Sequence, residues 1–292
     1  MKQMKFLLLF FACSSILYSG ELQAQLERQR VVVDSAVELT FMAPRNINTY
    51  TVEPLSKGEL HYSIMHTFGE VESGVRTLWG IDSGANVRFS LEYGFTDRIS
   101  AGVGRSSMDK VYDMTIRSSL LRQKRSGGSP VSVSFIPSFG IITSSFGFLE
   151  EDYSFSDRLH YSISLPVARK VSDRLSLQIT PMIAGFNRTG PELNIADPAV
   201  QTYGTVAAGG RMKFSPRAAF TFQYLPPLTD ASNLSPNIAV GVDIETGGHV
   251  FQMFFTTSRA LNESYLIAGE NGSFFDGEFR FGFNVNRLFR VR

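Results

Sequence analysis

The chain has 292 residues, with 28 Lys and Arg against 27 Asp and Glu for a formal charge of +1, so it lacks the basic footprint that nucleic acid demands. Its one cysteine is Cys13, which excludes a disulfide framework and a thiolate metal site. The length suits one large β domain or two smaller ones.

Residues 1–24 read as a secretory signal peptide. Lys2 and Lys5 precede the apolar run Phe6 to Ala12, and Leu22-Gln23-Ala24 is a small-residue cleavage site before Gln25. Removing Lys2, Lys5 and Glu21 leaves 26 basic and 26 acidic residues. Two alternatives stand beside this reading. A membrane-anchoring helix is cut short by Ser14, Ser15, Ser19 and Glu21, below the roughly 20 residues that spanning needs. Lipoprotein processing at Ala12-Cys13 meets a bulky Phe10-Phe11. Residues 25–57 show no convincing alternation and carry Pro44, Pro54 and mixed charge. They read as a periplasmic extension, a stretch folded into a barrel mouth, or a poorly ordered terminus.

From residue 58 the apolar period is two. Leu60, Tyr62, Ile64 and Phe68 alternate with polar neighbours, and so do Val87, Phe89, Leu91 and Tyr93. The pattern returns at Leu159 to Leu165, Leu175 to Ile179, Ala218 to Tyr224, Ile238 to Ile244 and Phe275 to Phe283. Weaker alternation covers 98–105, 110–122, 131–142, 202–214 and 249–258. Each is a strand with one apolar and one polar face, about twelve in all. The connections alternate as well. Short links at 95–98, 169–173, 215–217 and 246–248, with a somewhat longer one at 124–130, are interleaved with longer ones at 69–84, 143–156, 186–201, 226–236 and 258–272, and only 106–109 among these is short. Short turns at one end and long loops at the other describe an outer-membrane barrel with periplasmic turns. A β-structure spans lipid only as a closed cylinder, because every backbone N–H and C=O must pair internally. The expected fold is therefore all-β, a closed antiparallel up-and-down transmembrane β-barrel over 58–292, with a soluble sandwich as the alternative. The chain end Phe289-Arg290-Val291-Arg292 departs from the aromatic finish typical of outer-membrane strands. A recurring apolar-hydroxyl-Asp/Pro-Arg motif at 95–98, 155–158, 171–174 and 214–217 reads as turn chemistry.

Three stretches carry a family resemblance: Asn46 to Gly69 (NINTYTVEPLSKGELHYSIMHTFG), Trp79 to Ser107 (WGIDSGANVRFSLEYGFTDRISAGVGRSS) and Lys110 to Gln123 (KVYDMTIRSSLLRQ). They resemble an uncharacterised Bacteroidota outer-membrane β-barrel family, domain of unknown function 5777. The likeness is specific over about residues 40–125 and diffuse beyond, with Trp79 where the family more often has Phe. It implies an outer-membrane barrel and a mature N-terminus at Gln25, and it supplies no activity, ligand or catalytic residue.

The chain holds no Gly-x-Ser-x-Gly elbow, no His-Glu-x-x-His and no phosphate-binding glycine loop. His61, His66, His160 and His249 fall on separate strands or strand ends, so neither a metal nor a cofactor is expected. Nine charged residues fall on the expected lumen faces: Arg88, Glu92, Asp113, Arg117, Asp243, Glu245, Asp276, Glu278 and Arg280. They read either as a network packing a narrow interior or as a pore lining that selects solutes. The expected function is a small outer-membrane channel or transport barrel for polar solutes, not an enzyme. Its partner is outer-membrane lipid, and no nucleic acid. Two alternatives remain: a non-transporting structural barrel docking another envelope protein, and a lipid hydrolase using Ser and His160 at the bilayer rim.

Overall fold

The computed structural model describes residues 36–147 and 154–291. The signal-peptide reading, Cys13 and residues 25–35 lie outside these described residues. Fifteen strands run in chain order: β1 (Arg45–Asn46), β2 (Thr49–Tyr50), β3 (Glu59–Glu70), β4 (Asn86–Gly94), β5 (Ile99–Ser106), β6 (Tyr112–Leu121), β7 (Ser132–Ile141), β8 (Leu159–Ser164), β9 (Val167–Lys170), β10 (Leu175–Phe186), β11 (Thr202–Ser215), β12 (Ala218–Leu225), β13 (Asn237–Thr246), β14 (His249–Thr256) and β15 (Arg280–Arg290). β1 and β2 form a small hairpin of their own. The others make a closed antiparallel barrel of 12 strands, with β8 and β9 sharing one place between β7 and β10. β15 pairs with β3 from Phe289↔Leu60 to Gly282↔Thr67, which closes the cylinder. β8 and β9 are separated at Leu165-Pro166, where proline has no N–H for the ladder. The Pro166 carbonyl still accepts from Ser134 N, so the neighbouring strand stays attached.

Alternation places side chains as the period predicts. In β5 and β6 the even and odd positions divide cleanly: Val103, Tyr112, Met114 and Ile116 are exposed on the outside, while Ser100, Ser106, Asp113, Thr115 and Arg117 are buried inside. A barrel in lipid needs this inversion, with its apolar face outermost. Val103→Arg, near the centre of β5, should therefore lower stability by about 2 to 4 kcal/mol. The check is the urea midpoint of the barrel refolded in lipid vesicles.

The hydroxyl-bearing motif works as turn chemistry. Thr96 Oγ1 accepts from the backbone N–H groups of Arg98 and Ile99 at 3.2 and 2.9 Å, and Ser172 Oγ does the same for Arg174 and Leu175 at 3.3 and 3.1 Å. The copy at Phe155–Arg158 instead makes a 3-10 turn at the loop end of the barrel, closed by a capping box between Ser154 and Asp157.

One strand differs from expectation. Alternation suggests a final strand from Phe275, whereas β15 starts at Arg280. The polypeptide from Ser273 to Glu278 is a closed turn: Ser273 N donates to Glu278 Oε2 at 2.7 Å, Glu278 N donates to Ser273 O at 3.0 Å, and Gly277 takes φ +87°. A glycine in the left-handed region satisfies that turn at no steric cost. The run of aromatic and charged residues through 274–280 mimics a strand without being one.

Candidate functional site

The interior of the barrel is occupied. Residues 36–57 enter from the turn end, where Val37 N donates to Gln123 O at 2.7 Å and Lys170 Nζ to Glu38 O at 3.1 Å. They climb to an apex at Ile47, whose φ is +56°, and return through β2 to the same end, where Lys57 N donates to Asp97 Oδ1 at 3.0 Å. Phe41 to Leu55 are buried throughout. A segment enclosed by wall on every side has no solvent face, which is why it shows no alternation. The periplasmic or barrel-mouth segment expected over 25–57 is thus, in its described part, a finger inside the lumen.

Wall side chains grip this finger mainly by its main chain. Gln178 donates Nε2 to Tyr50 O at 2.8 Å and accepts from Val52 N at 3.3 Å. Gln223 Oε1 accepts from Asn48 N and Thr49 N, both at 3.1 Å. Asn284 Nδ2 donates to Ile47 O at 2.7 Å and Gln252 Nε2 to Arg45 O at 3.2 Å. These amides sit on the inward face of four barrel strands, where the polar half of the alternating pattern puts them. They satisfy backbone groups that would otherwise be buried without partners. Apolar packing adds to the grip, with Ile47 against Ala239 and Phe254, and Met42 and Ala43 against Ala219 and Val250.

The loop end is closed from the opposite direction. In the connection between β14 and β15, a short helix α1 (Glu263–Ala268) folds inward, with Asn262 Oδ1 capping it by accepting from Tyr265 N at 3.0 Å. Tyr265, Leu266, Ile267 and Ala268 join Phe186, Leu193, Ile195 and Tyr203 in an apolar cluster. His160 is buried beneath it: its Nδ1 lies 2.9 Å from Ser264 Oγ, and its ring stacks on Phe186 with centroids 5.4 Å apart. This Ser–His contact lies inside the barrel under α1, away from the bilayer rim where the hydrolase alternative required it. Asp109, in the β5–β6 loop, is held by Asn194, whose backbone N donates to Oδ2 at 3.1 Å. Burial pushes the Asp109 carboxyl up, against the lowering effect of those bonds.

Finger and helix meet in one ion pair. The Arg45 guanidinium engages Glu263 in a bidentate fork at 2.9 and 3.1 Å, with both side chains 3% exposed. Arg45 also lies 3.7 Å from the Tyr50 ring centroid, and Arg117 lies 5.0 Å from it. Tyr50 OH donates to Thr115 Oγ1 on β6 at 3.1 Å.

Of the nine charged residues expected in the lumen, five lie buried on its wall. Arg88 pairs with Asp113, and Arg117 pairs with Glu92 at 2.8 Å. Each pair spans from β4 to β6 across β5, the first over Gly104 and the second beside Ser100, whose Oγ donates to Glu92 Oε1. Arg117 further donates to the finger carbonyls of Thr51 and Pro44. Asp243 accepts from Gln252 Nε2 at 3.1 Å. Glu245, at the turn end of β13, is only partly buried, and Arg280 pairs with Glu70 at the loop end of β15. Asp276 and Glu278 are corrections: they lie in the turn before β15, Asp276 exposed and bonded to Ser273 Oγ, Glu278 closing the turn. Sequence reasoning missed Arg45, Tyr50, Glu263, the wall amides and Arg211. Arg211 is buried on β11 and donates to Leu39 O of the finger. Among the described residues no group of three or more His, Cys, Asp or Glu side chains is placed to hold a metal ion.

A family model described as a membrane bound beta barrel domain (DUF5777) matches residues 41–289, finger included. The chain belongs to this family. Solved structures similar to this family member include the NanC porin, at 7% identity and TM-score 0.49, with 80% of this chain and 100% of that one covered. An outer membrane channel from Pseudomonas putida F1 is similar at 12% identity and TM-score 0.48, with 82% and 98% covered. The KdgM porin is similar at 9% identity and TM-score 0.45, with 80% and 99% covered. Comparison with curated proteins finds no match.

Proposed function

We propose that the protein is an outer-membrane transport barrel for polar solutes, closed in the described conformation from the turn end by its N-terminal finger and at the loop end by α1, the two tied together by Arg45 and Glu263. An outer-membrane location is supported by the closed cylinder, its apolar exterior and its short-turn and long-loop ends. In that orientation the turns face the periplasm, and residues 1–24 export the chain. The observation that carries the transport reading is how the finger is bound. The barrel ladders close completely around the ring without it. Its own bonds run chiefly to wall side chains, and water replaces such bonds at a net cost of only about 0.5 to 1.5 kcal/mol each. A polar wall under a separable filling is the arrangement of a passage with a stopper.

The test is single-channel recording in planar bilayers, with the heat-dependent gel shift confirming a folded barrel. The native chain should conduct in rare steps. Arg45→Ala/Tyr50→Ala, which removes the finger's ion pair and its bond to Thr115, should raise the open fraction at least tenfold. The non-transporting reading, favoured by the filled lumen itself, requires both proteins to stay silent while folded, and that result would remove the transport reading.

A further inference from the structure

Resting on that reading, we propose that the solutes are small and uncharged and carry both hydrogen-bond donors and acceptors, as neutral sugars and blocked peptides do. Two independent features point there. The first is charge. The charged side chains buried on the barrel strands are Arg88, Arg117 and Arg211 against Glu92, Asp113 and Asp243, so the cations and anions balance. Four of the six are paired within the wall itself, so they stay neutralised when the finger leaves. A wall with no net sign supplies no field of its own to concentrate either kind of ion, and the charge that withdrawal of Arg45 leaves behind is the Glu263 carboxylate on α1.

The second is the finger as a stand-in ligand. Alongside the cations Arg117, Arg211 and Lys170, which donate to its carbonyls, the groups that hold its main chain are neutral amides reading neutral donors and acceptors. Gln178 donates to one main-chain group and accepts from another, Gln223 accepts from two N–H groups, and Gln252 and Asn284 each donate to a carbonyl. Once vacated, these amides present an array of both kinds, complementary to hydroxyl or amide groups, whereas a solute ion would be desolvated among them without a counter-charge. Two antiparallel strands lie side by side in the finger, so its removal frees, on the turn side of α1, a bore roughly 10 Å across from the spacing of paired strands and their side chains. That width admits a sugar.

The experiment is swelling of proteoliposomes holding full-length Arg45→Ala/Tyr50→Ala protein, challenged with glucose, the anion gluconate, the cation glucosamine and uncharged N-acetylglycinamide. Glucose and N-acetylglycinamide should enter at least threefold faster than either ion, and the reversal potential in a KCl gradient should give less than a twofold preference between cation and anion. Whichever neutral probe is faster separates hydroxyl from amide solutes. Faster entry of gluconate or glucosamine, or a preference for one ion above fivefold, would overturn the proposal while leaving transport intact. Entry of no probe through a folded barrel would remove transport and this inference together. Glu263→Gln, which weakens the finger's ion pair without changing the finger, provides a second protein for the same measurements.

Discussion

Glu263→Ala is expected to unseat the finger. Arg45 then remains buried at 3% exposure with its carboxylate partner gone, and breaking a buried pair from one side costs about 3 to 5 kcal/mol because the orphaned charge has no compensation. The finger can relieve that cost by withdrawing, which returns Arg45 to water. The ratio of released to seated finger should rise by roughly two to three and a half powers of ten, at about 1.4 kcal/mol per tenfold. Trypsin cleavage after Arg45 reads this directly, since the seated residue is inaccessible. Glu263→Ala should be cut quickly and the native chain slowly. Equal, slow cutting in both would mean that the pair does not hold the finger. The double change Arg45→Met/Glu263→Leu removes that trypsin site and leaves no buried charge behind, so in planar bilayers it should show a lower open fraction than Glu263→Ala.

The second large effect lies in the wall. Arg88 on β4 reaches Asp113 on β6 by passing over Gly104 of β5, and a Cβ built at Gly104 would overlap the Arg88 guanidinium. Glycine is needed at this close approach for its missing side chain, and not for its dihedral freedom. Gly104→Val should push the guanidinium off Asp113 and destabilise the barrel by about 3 kcal/mol or more, comparable to removing one partner of a buried pair. Arg88→Ala alone should cost a similar amount. The two together should cost far less than their sum, because both break the same contact. Urea unfolding in vesicles measures all three, and simple additivity would mean that Gly104 acts on something other than this pair.

These contacts mark where the sequence is readable and where it is not. Arg88, Glu92, Asp113 and Arg117 are legible as lumen residues because alternation in β4 and β6 puts them opposite Phe89, Leu91, Met114 and Ile116, which face outward. Their pairing is less visible, since it depends on strands two apart and, for Arg88 and Asp113, on the glycine between them. The barrel itself follows from its period and its turns. The finger does not: with Phe41 to Leu55 enclosed on all sides, no face is polar and no period appears. A usable trace was present in the run from Thr40 to Leu55, where Arg45 and Glu53 are the only charges among mixed apolar and amide residues. Both are buried. Glu263 was hidden in a long loop, although Asn262 before it is a helix-capping residue. Asp276 and Glu278 were misplaced because Phe275, Phe279 and Phe281 keep strand spacing straight through a turn.

Both ends of the finger leave the lumen on the same side, Ala36 beside Lys124 and Gly58 beside Gly94. The polypeptide is a blind loop pushed into a tube, and no part of it threads from one mouth to the other. It can therefore slide out and back as a unit without any strand of the cylinder unzipping and without a free end having to pass through. Insertion can likewise follow closure of the β15–β3 seam, so the order in which tube and stopper form is topologically unconstrained.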